Sequence, residues 1–317
     1  MSADRGVTHR ERPGARARRA PGSGPASPAR PDFPAGRIVG RCAVPGLPFA
    51  WRIDPYPGVD PGFPLGGYDG PRPAPVTFDE DLWTGETMLA TLERDLEAIG
   101  AGEAIAIGAA GDPYPLSELR ARRTRRILEA LVERDGFDVG ITTKSDLVAR
   151  DAELLARLAE GHAVSVHVVI PTLDRRLART LDPEAPRPDL RLKAVSELAA
   201  RGVDVRVRCA PVLPDVTDEP DALDRIARAA AGAGARGFSA QALHVTPSAL
   251  AELFPSLGRD RPDRVERHRA RYEGEARLPA EYRRGLADLV ARLRRKHGMD
   301  GRVGGRRSGE GPQLDLF

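Results

Sequence analysis

The chain has 317 residues and is 41% hydrophobic, enough for a sizeable core, and an aromatic share of only 5% means that core must be mostly Leu, Val, Ala and Ile. Its net charge is +3, with an Arg excess in the first forty residues and again over Arg259–Arg307; such surfaces fit either a solvated basic face or contact with nucleic-acid phosphate. Cys42 and Cys209 stand far apart in no spacing motif, which excludes a disulfide framework; no apolar run approaches the roughly 20 residues of a membrane span, and an N-terminus without an apolar stretch excludes a secretory signal, so the protein reads as cytoplasmic.

Residues 1–40 form an Arg/Pro/Gly/Ala/Ser tail with too little apolar surface to offset the entropy of ordering, and are predicted disordered. The chain turns apolar from Ile38 to Ile53 and enters the fold. Asp54–Asp69 is too dense in Pro and Gly for helix or strand. Met88, Leu89, Leu92, Leu96 and Ile99 recur at helical spacing and predict a helix over Glu86–Ile99. Ala104–Ile107 is a short strand ending in the tight turn Gly108–Tyr114. Ser117–Arg134 reads as one helix, with Ser117 as possible N-cap and Leu119, Ile127, Leu128, Leu131 and Val132 as its stripe.

The alternation continues: strand Phe137–Thr142, helix Asp151–Glu160, strand Ala163–Ile170, helix Leu173–Leu181, helix Asp189–Arg201, strand Val203–Ala210, helix Ala222–Ala233, strand Gly237–Leu243, helix Pro247–Phe254. Strands separated by helices mean parallel β/α units. Counting the 49–53 run there are about six strands, which favours a curved or partial barrel over an open doubly wound sheet, although pattern alone does not separate them. The barrel is assigned to residues 41–258. Residues 259–300 form a charged helical appendage with Tyr282, Leu286, Leu289, Val290 and Leu293 on one face, and 301–317 a flexible basic tail.

Several short motifs, in order, resemble one known family. Trp51-Arg52-Ile53-Asp54-Pro55-Tyr56-Pro57-Gly58 looks like the Asn-Pro-Tyr-Arg-Gly lead-in of radical S-adenosylmethionine (SAM) proteins related to spore photoproduct lyase. Gly108–Pro115, with Asp112-Pro113-Tyr114, is similar to that family's Gly-Thr-x-Thr-Asp-Pro-Tyr-Gln-Pro. Thr142-Thr143-Lys144-Ser145 with Arg150-Asp151 matches its Thr-Lys-Ser and Arg-Asp. Pro171-Thr172-Leu173-Asp174 and Asp182-Pro183-x-x-Pro186 match a further stretch, with Asp182 in place of the usual Glu. Arg191-Leu192 and Ala210-Pro211-Val212-Leu213-Pro214 complete the set. The resemblance spans roughly residues 47 to 297. It implies an α/β fold, the partial (β/α)6 barrel of the radical-SAM type, with a [4Fe-4S] cluster and SAM as the family's cofactors.

The departures from the family fall at the chemistry. The family's Cys-x3-Cys-x2-Cys positions coincide with Val59, Phe63 and Gly66, none of which binds iron. The Thr-rich turn has become Ala109-Ala110-Gly111, and Val169 stands where the family often has serine. His167 and His244 form no tight motif with Cys42 and Cys209, and Asp54, Asp60 and Asp69 read as a solvated loop rather than a hard-metal site. Neither a metal site nor a catalytic residue is assigned. Asp112, Tyr114 and Lys144 are the remnants of a SAM site that the resemblance implies. Lys144 there meets the SAM carboxylate or closes the barrel mouth as an ion pair. The cluster is predicted absent, and SAM binding stays open. The expected role is a pseudo-enzyme that serves as a DNA-repair accessory or binding module; the alternative is a SAM-dependent enzyme acting on DNA.

The final residues, Gln313-Leu314-Asp315-Leu316-Phe317, resemble the pentapeptide with which bacterial repair and replication proteins bind the sliding clamp. A Gln amide that donates and accepts, apolar anchors and a Gly-rich linker suit that partner. Folding of Leu316 and Phe317 onto the protein's own surface is the other reading. DNA is a second possible partner through the basic segments, and no membrane partner is expected.

Overall fold

The computed structural model describes residues 38–42, 49–56, 85–109, 111–243 and 278–300. Seven strands form one sheet in the order β1 to β7: β1 Val39–Arg41, β2 Trp51–Ile53, β3 Ala104–Ile107, β4 Asp138–Thr143, β5 Ala163–Val169, β6 Asp204–Val212 and β7 Gly237–Ala242. β1 pairs antiparallel with β2. From β2 to β7 every pairing is parallel and follows chain order. Helices fill the connections: α1 Gly85–Leu96, α2 Glu118–Ala121, α3 Arg123–Val132, α4 Ala152–Gly161, α5 Arg175–Leu181, α6 Pro188–Ala200 and α7 Pro220–Gly232. An eighth, α8, spans Ala280–Lys296.

Sequential parallel order has a structural consequence. Each crossover steps the same way, so the helices gather on one face and the sheet must curl to enclose the other. This is the α/β partial (β/α)6 barrel. The alternation of side chains along each strand sorts the faces. Ile105, Ile107, Val139, Ile141, Val166, Val168, Val205 and Val207 are fully buried and share the core with Leu92, Leu128, Leu155, Val195 and Ile226 of the helices. The opposite face carries Ala106, Gly140, Ser165, His167, Arg206 and Arg208, and is polar toward β6. Gly140 is required there, because a Cβ on it would lie 2.2 Å from Cζ of Phe49, whose ring covers this part of the wall.

Helix limits differ from the sequence-based expectation at one informative place. Ser117–Arg134 is two helices, α2 and α3, broken at Arg122, whose φ is 50°. Ser117 makes no side-chain capping bond. The fully buried carboxylate of Glu118 takes over that task, accepting from the Thr124 and Arg125 amides that open α3. The chain therefore gains a side-chain cap at a position where the periodicity runs on unbroken. Leu119, expected in the apolar stripe, is 50% exposed as a result.

β1 is the other addition. Its start falls inside the stretch assigned to the tail, and the Ile38 and Val39 amides donate to the buried Asp95 carboxylate of α1 at 2.8 and 3.3 Å. α8 packs on β7 and α7 through Leu286 and Leu293. Its C-terminal Lys296 and His297 pair with Asp224 of α7 at 2.9 and 2.7 Å. Cations at the last turn also suit the helix dipole. The predicted helix Pro247–Phe254 and the start of the charged segment from Arg259 lie outside the described residues. No helix among the described residues is long and apolar enough to cross a membrane.

Candidate functional site

The carboxyl ends of β2 to β6 bring together the motifs singled out in the sequence, at the end where barrels of this kind carry their sites. The turn after β3 begins at Gly108, where φ is +87° and a Cβ would stand 2.5 Å from the Thr142 carbonyl and 2.6 Å from Pro113 Cδ. Only glycine permits that approach of β3's turn to β4. The turn delivers Asp112 to the end of β4. Its Oδ1 accepts from the Tyr114 amide at 2.8 Å and the Thr143 hydroxyl at 2.6 Å, and its Oδ2 from the Lys144 amide at 2.7 Å. Burial pushes the Asp112 pKa up, opposed by these hydrogen bonds and by the Lys144 charge. Asp112 is thus the clamp that sets the backbone of the Thr143–Ser145 turn.

Lys144 extends past that clamp. Its Nζ donates to Asp182 Oδ2 at 2.6 Å, and both side chains keep some exposure, 15% and 13%. Of the two roles weighed for Lys144, the ion pair is the one present in this structure. An ammonium has three donors and Asp182 takes one, so an incoming carboxylate can share it. Asp182 closes α5, which opens with Asp174 capping the Arg176 and Leu177 amides. Beside it, the buried Arg191 donates from Nε to the Pro186 carbonyl and from Nη1 to the Val169 carbonyl, each at 2.8 Å. Arg191 therefore ties the end of β5 to the turn that carries Pro186, at the rim beside the Lys144–Asp182 pair.

A second network lies behind this rim. Tyr56 donates its hydroxyl to Glu118 Oε2. Arg150 Nη2 reaches Glu118 Oε1 at 2.8 Å and Asp151 Oδ2 at 2.9 Å, and Arg125 Nη1 reaches Asp151 Oδ1 at 2.8 Å. The Arg123 guanidinium lies 5.2 Å from the Tyr56 ring centroid. Both carboxylates raise the Arg150 pKa, while burial and the Glu118 bond raise that of Tyr56. Tyr114 is buried, and its phenol is pushed well above the ordinary value by burial first and then by Asp151 and Glu118. Glu118 and the Arg150-Asp151 motif thus act as internal structure that pins the β2 exit to α3, with Tyr114 buried in the core.

The structure brings Asp112 together with the Tyr114 and Lys144 amides at the end of β4. Val59, Phe63 and Gly66 lie outside the described residues, as do Asp60, Asp69, His244 and Gln313, Leu314, Asp315, Leu316 and Phe317. Cys209 is buried: its Sγ lies 3.5 Å from the Pro171 carbonyl, and burial pushes its thiol up to about 12. A [4Fe-4S] cluster needs soft thiolate ligands. A chain with two cysteines, one of them inert in the core, does not fit that group. Among the described residues no group of three His, Cys, Asp or Glu side chains is placed to hold a metal. The sequence reading missed Glu118 and the two arginines of β6, because neither falls in a recognisable motif.

No protein-family model matches the chain. The uncharacterized protein Rv2578c of Mycobacterium tuberculosis is 32% identical over 262 residues, covering 80% of this chain and 76% of the relative. The chain belongs to the family of this mycobacterial protein. A shorter match lies in an archaeon. The uncharacterized protein MJ0683 of Methanocaldococcus jannaschii is 28% identical over 114 residues, covering 36% of this chain and 42% of the relative. Among solved structures, spore photoproduct lyase complexed with dinucleoside spore photoproduct is similar with a TM-score of 0.49 and 16% identity, over 67% of this chain and 64% of that one. The chain thus spans just under two thirds of the length of the lyase chains it matches. SuiB of Streptococcus suis, bound to S-adenosylmethionine, follows with a TM-score of 0.37 and 18% identity, over 52% of this chain and 37% of that one.

Proposed function

We propose that this protein is a spore photoproduct lyase-like member of the radical-SAM superfamily that has lost its [4Fe-4S] cluster and works as a DNA-repair-associated binding module recruited to the sliding clamp. The observation that carries the reading is the thiolate inventory. The loop that resembles the family's cluster segment has Val59, Phe63 and Gly66 at the ligand positions, and the whole chain offers only Cys42 and the buried Cys209. The order of the surviving motifs supports the family. The resemblance of Gln313–Phe317 to clamp-binding peptides supports the partner, and the basic segments support proximity to DNA.

Anaerobic reconstitution with iron and sulfide, followed by an iron count and visible spectrum, tests the central claim. Folded protein without iron is the expected result; about four irons per chain with a cluster spectrum overturns it. Clamp recruitment is tested separately by deleting Gln313–Phe317, which is expected to abolish binding to the clamp. Equal binding by the truncated and full chains removes that part of the proposal.

The intact Asp112–Thr143–Lys144 arrangement favours a second reading, a SAM-dependent enzyme of polar chemistry. SAM, when bound, supplies an electrophilic methyl group. The residue here that would hold it is Lys144, whose ammonium would share itself between Asp182 and the SAM carboxylate, with Asp112 holding the Lys144 backbone in place. Calorimetry with SAM separates the two readings: a pure scaffold gives no heat, and the second reading requires binding that Lys144→Met weakens.

A further inference from the structure

The helix-free face of the sheet holds a charge distribution that the strand register makes legible. Thr142, His167, Arg206 and Gly237 lie in one row across β4 to β7, and Val169, Arg208 and Ser239 in the next row toward the carboxyl ends. Arg206 lies across β7, where a Cβ on Gly237 would stand 3.2 Å from its Cγ. Its Nη2 pairs with Asp204 at 3.0 Å, but its Nε is buried with no hydrogen-bond partner among the described residues. Arg208 donates to the amide oxygen of Gln241, a neutral partner, and makes no ion pair among the described residues. His167, beside Arg206 in the first row, makes only a long contact of 3.4 Å with the Ser165 hydroxyl.

On β6 and β4 the acids of this wall sit toward its other end, while Asp54, which follows β2 on the same face, pairs with Arg52 at 3.5 Å. Asp204 is four residues before Arg208, about 13 Å along the strand, and Asp138 lies one row further back. Arg208 is therefore a guanidinium on an enclosed wall, without a carboxylate of its own, next to a second guanidinium with an orphan N–H. Burial lowers its pKa to about 10. Burial and the two guanidiniums hold His167 neutral, with its pKa near 3. A buried cation without a counter-charge costs several kcal/mol, so such a group persists where something anionic meets it.

We infer that Arg208, with the free Nε of Arg206 and His167 beside it, forms an oxyanion site for a phosphate-bearing ligand on the inner wall of the barrel. The guanidinium fork matches phosphate oxygens in pairs, and a neutral imidazole contributes a donor or acceptor without repelling the anion. The wall is half-buried rather than sealed: the Arg206 side chain keeps 24% of its accessible surface. Neither the lost cluster nor the clamp peptide enters the inference.

The test is a ³¹P NMR titration of the full chain with inorganic phosphate at constant ionic strength, repeated with a dinucleoside monophosphate. Saturable binding by the wild type is expected, weakened at least about ten-fold in Arg208→Met, as fits loss of a charged hydrogen-bonding partner. Arg208→Lys keeps the charge, removes the fork and should also bind more weakly, and it decides the matter if the methionine variant does not fold. Tighter binding of the dinucleotide assigns the site to a phosphodiester; equal binding assigns it to a free phosphate or monoester, and either supports the site. No saturable binding of either probe by the wild type, or unchanged affinity in the variants, overturns it.

Discussion

Replacing Glu118 with alanine is expected to destabilise the barrel more than any change at the rim. The carboxylate has no exposed surface and accepts from the Tyr56 hydroxyl, the Thr124 and Arg125 amides and Arg150 Nη2. Its removal leaves Arg150 with Asp151 as its remaining acid and strips α3 of its cap. Breaking a buried ion pair costs about 3–5 kcal/mol, and loss of a helix cap about 1 kcal/mol. Arg150 retains 26% side-chain exposure, so water recovers part of the first figure. A net loss of about 3–4 kcal/mol follows, or roughly 6–16 °C in Tm for a domain of this size. Urea unfolding of wild type and Glu118→Ala, followed by circular dichroism, measures it. Glu118→Gln keeps an acceptor and should lose about half as much. A loss below about 1 kcal/mol in the alanine variant would refute the claim that this carboxylate joins the β2 exit to α3.

Three further predictions follow from the packing and protonation of named groups. Gly140→Ala drives a Cβ into the Phe49 ring and should cost about 1–2 kcal/mol, most of it recovered in a Phe49→Leu background; additive losses would show that the two do not touch. Asp112 has a raised folded pKa, so between the ordinary carboxylate value near 4 and that higher value the folded state holds the extra proton. Its contribution to stability therefore falls as pH rises through this window, and Asp112→Asn, whatever its baseline, should remove that slope in urea titrations across pH 4–7. Cys209, with its thiol pushed up to about 12 and no exposure, should resist thiol reagents at pH 8 in the folded state and react fully in denaturant. Equal rates in both states would contradict its burial.

How much of this was readable in advance varies by feature. β3 runs over Ala104–Ile107 as expected, and the other predicted strands and helices within the described residues fall within a few residues of their limits, apart from Ser117–Arg134, which is two helices. Their apolar spacing is strong and local, and β/α alternation leaves few topologies. The Asp112–Lys144 meeting was legible only through the family resemblance, because no local pattern joins two residues on different strand ends. β1 was not foreseen as a strand: three residues carry little periodicity, and pairing with β2 and the Asp95 carboxylate of α1 supplies what holds them.

The sequence by itself determined most of the segments that become strand or helix, since side-chain periodicity and turn formers act over a few neighbouring residues. It also settled that three cluster thiolates do not exist in this chain, because composition needs no geometry. Tertiary structure alone decided that Glu118 would break and cap a helix, that Lys144 would face Asp182, and that Arg208 would bond the neutral Gln241. Each of those outcomes depends on desolvation and on partners 6 to 38 residues away in the chain or across a strand register, and charge in a linear sequence carries no record of either.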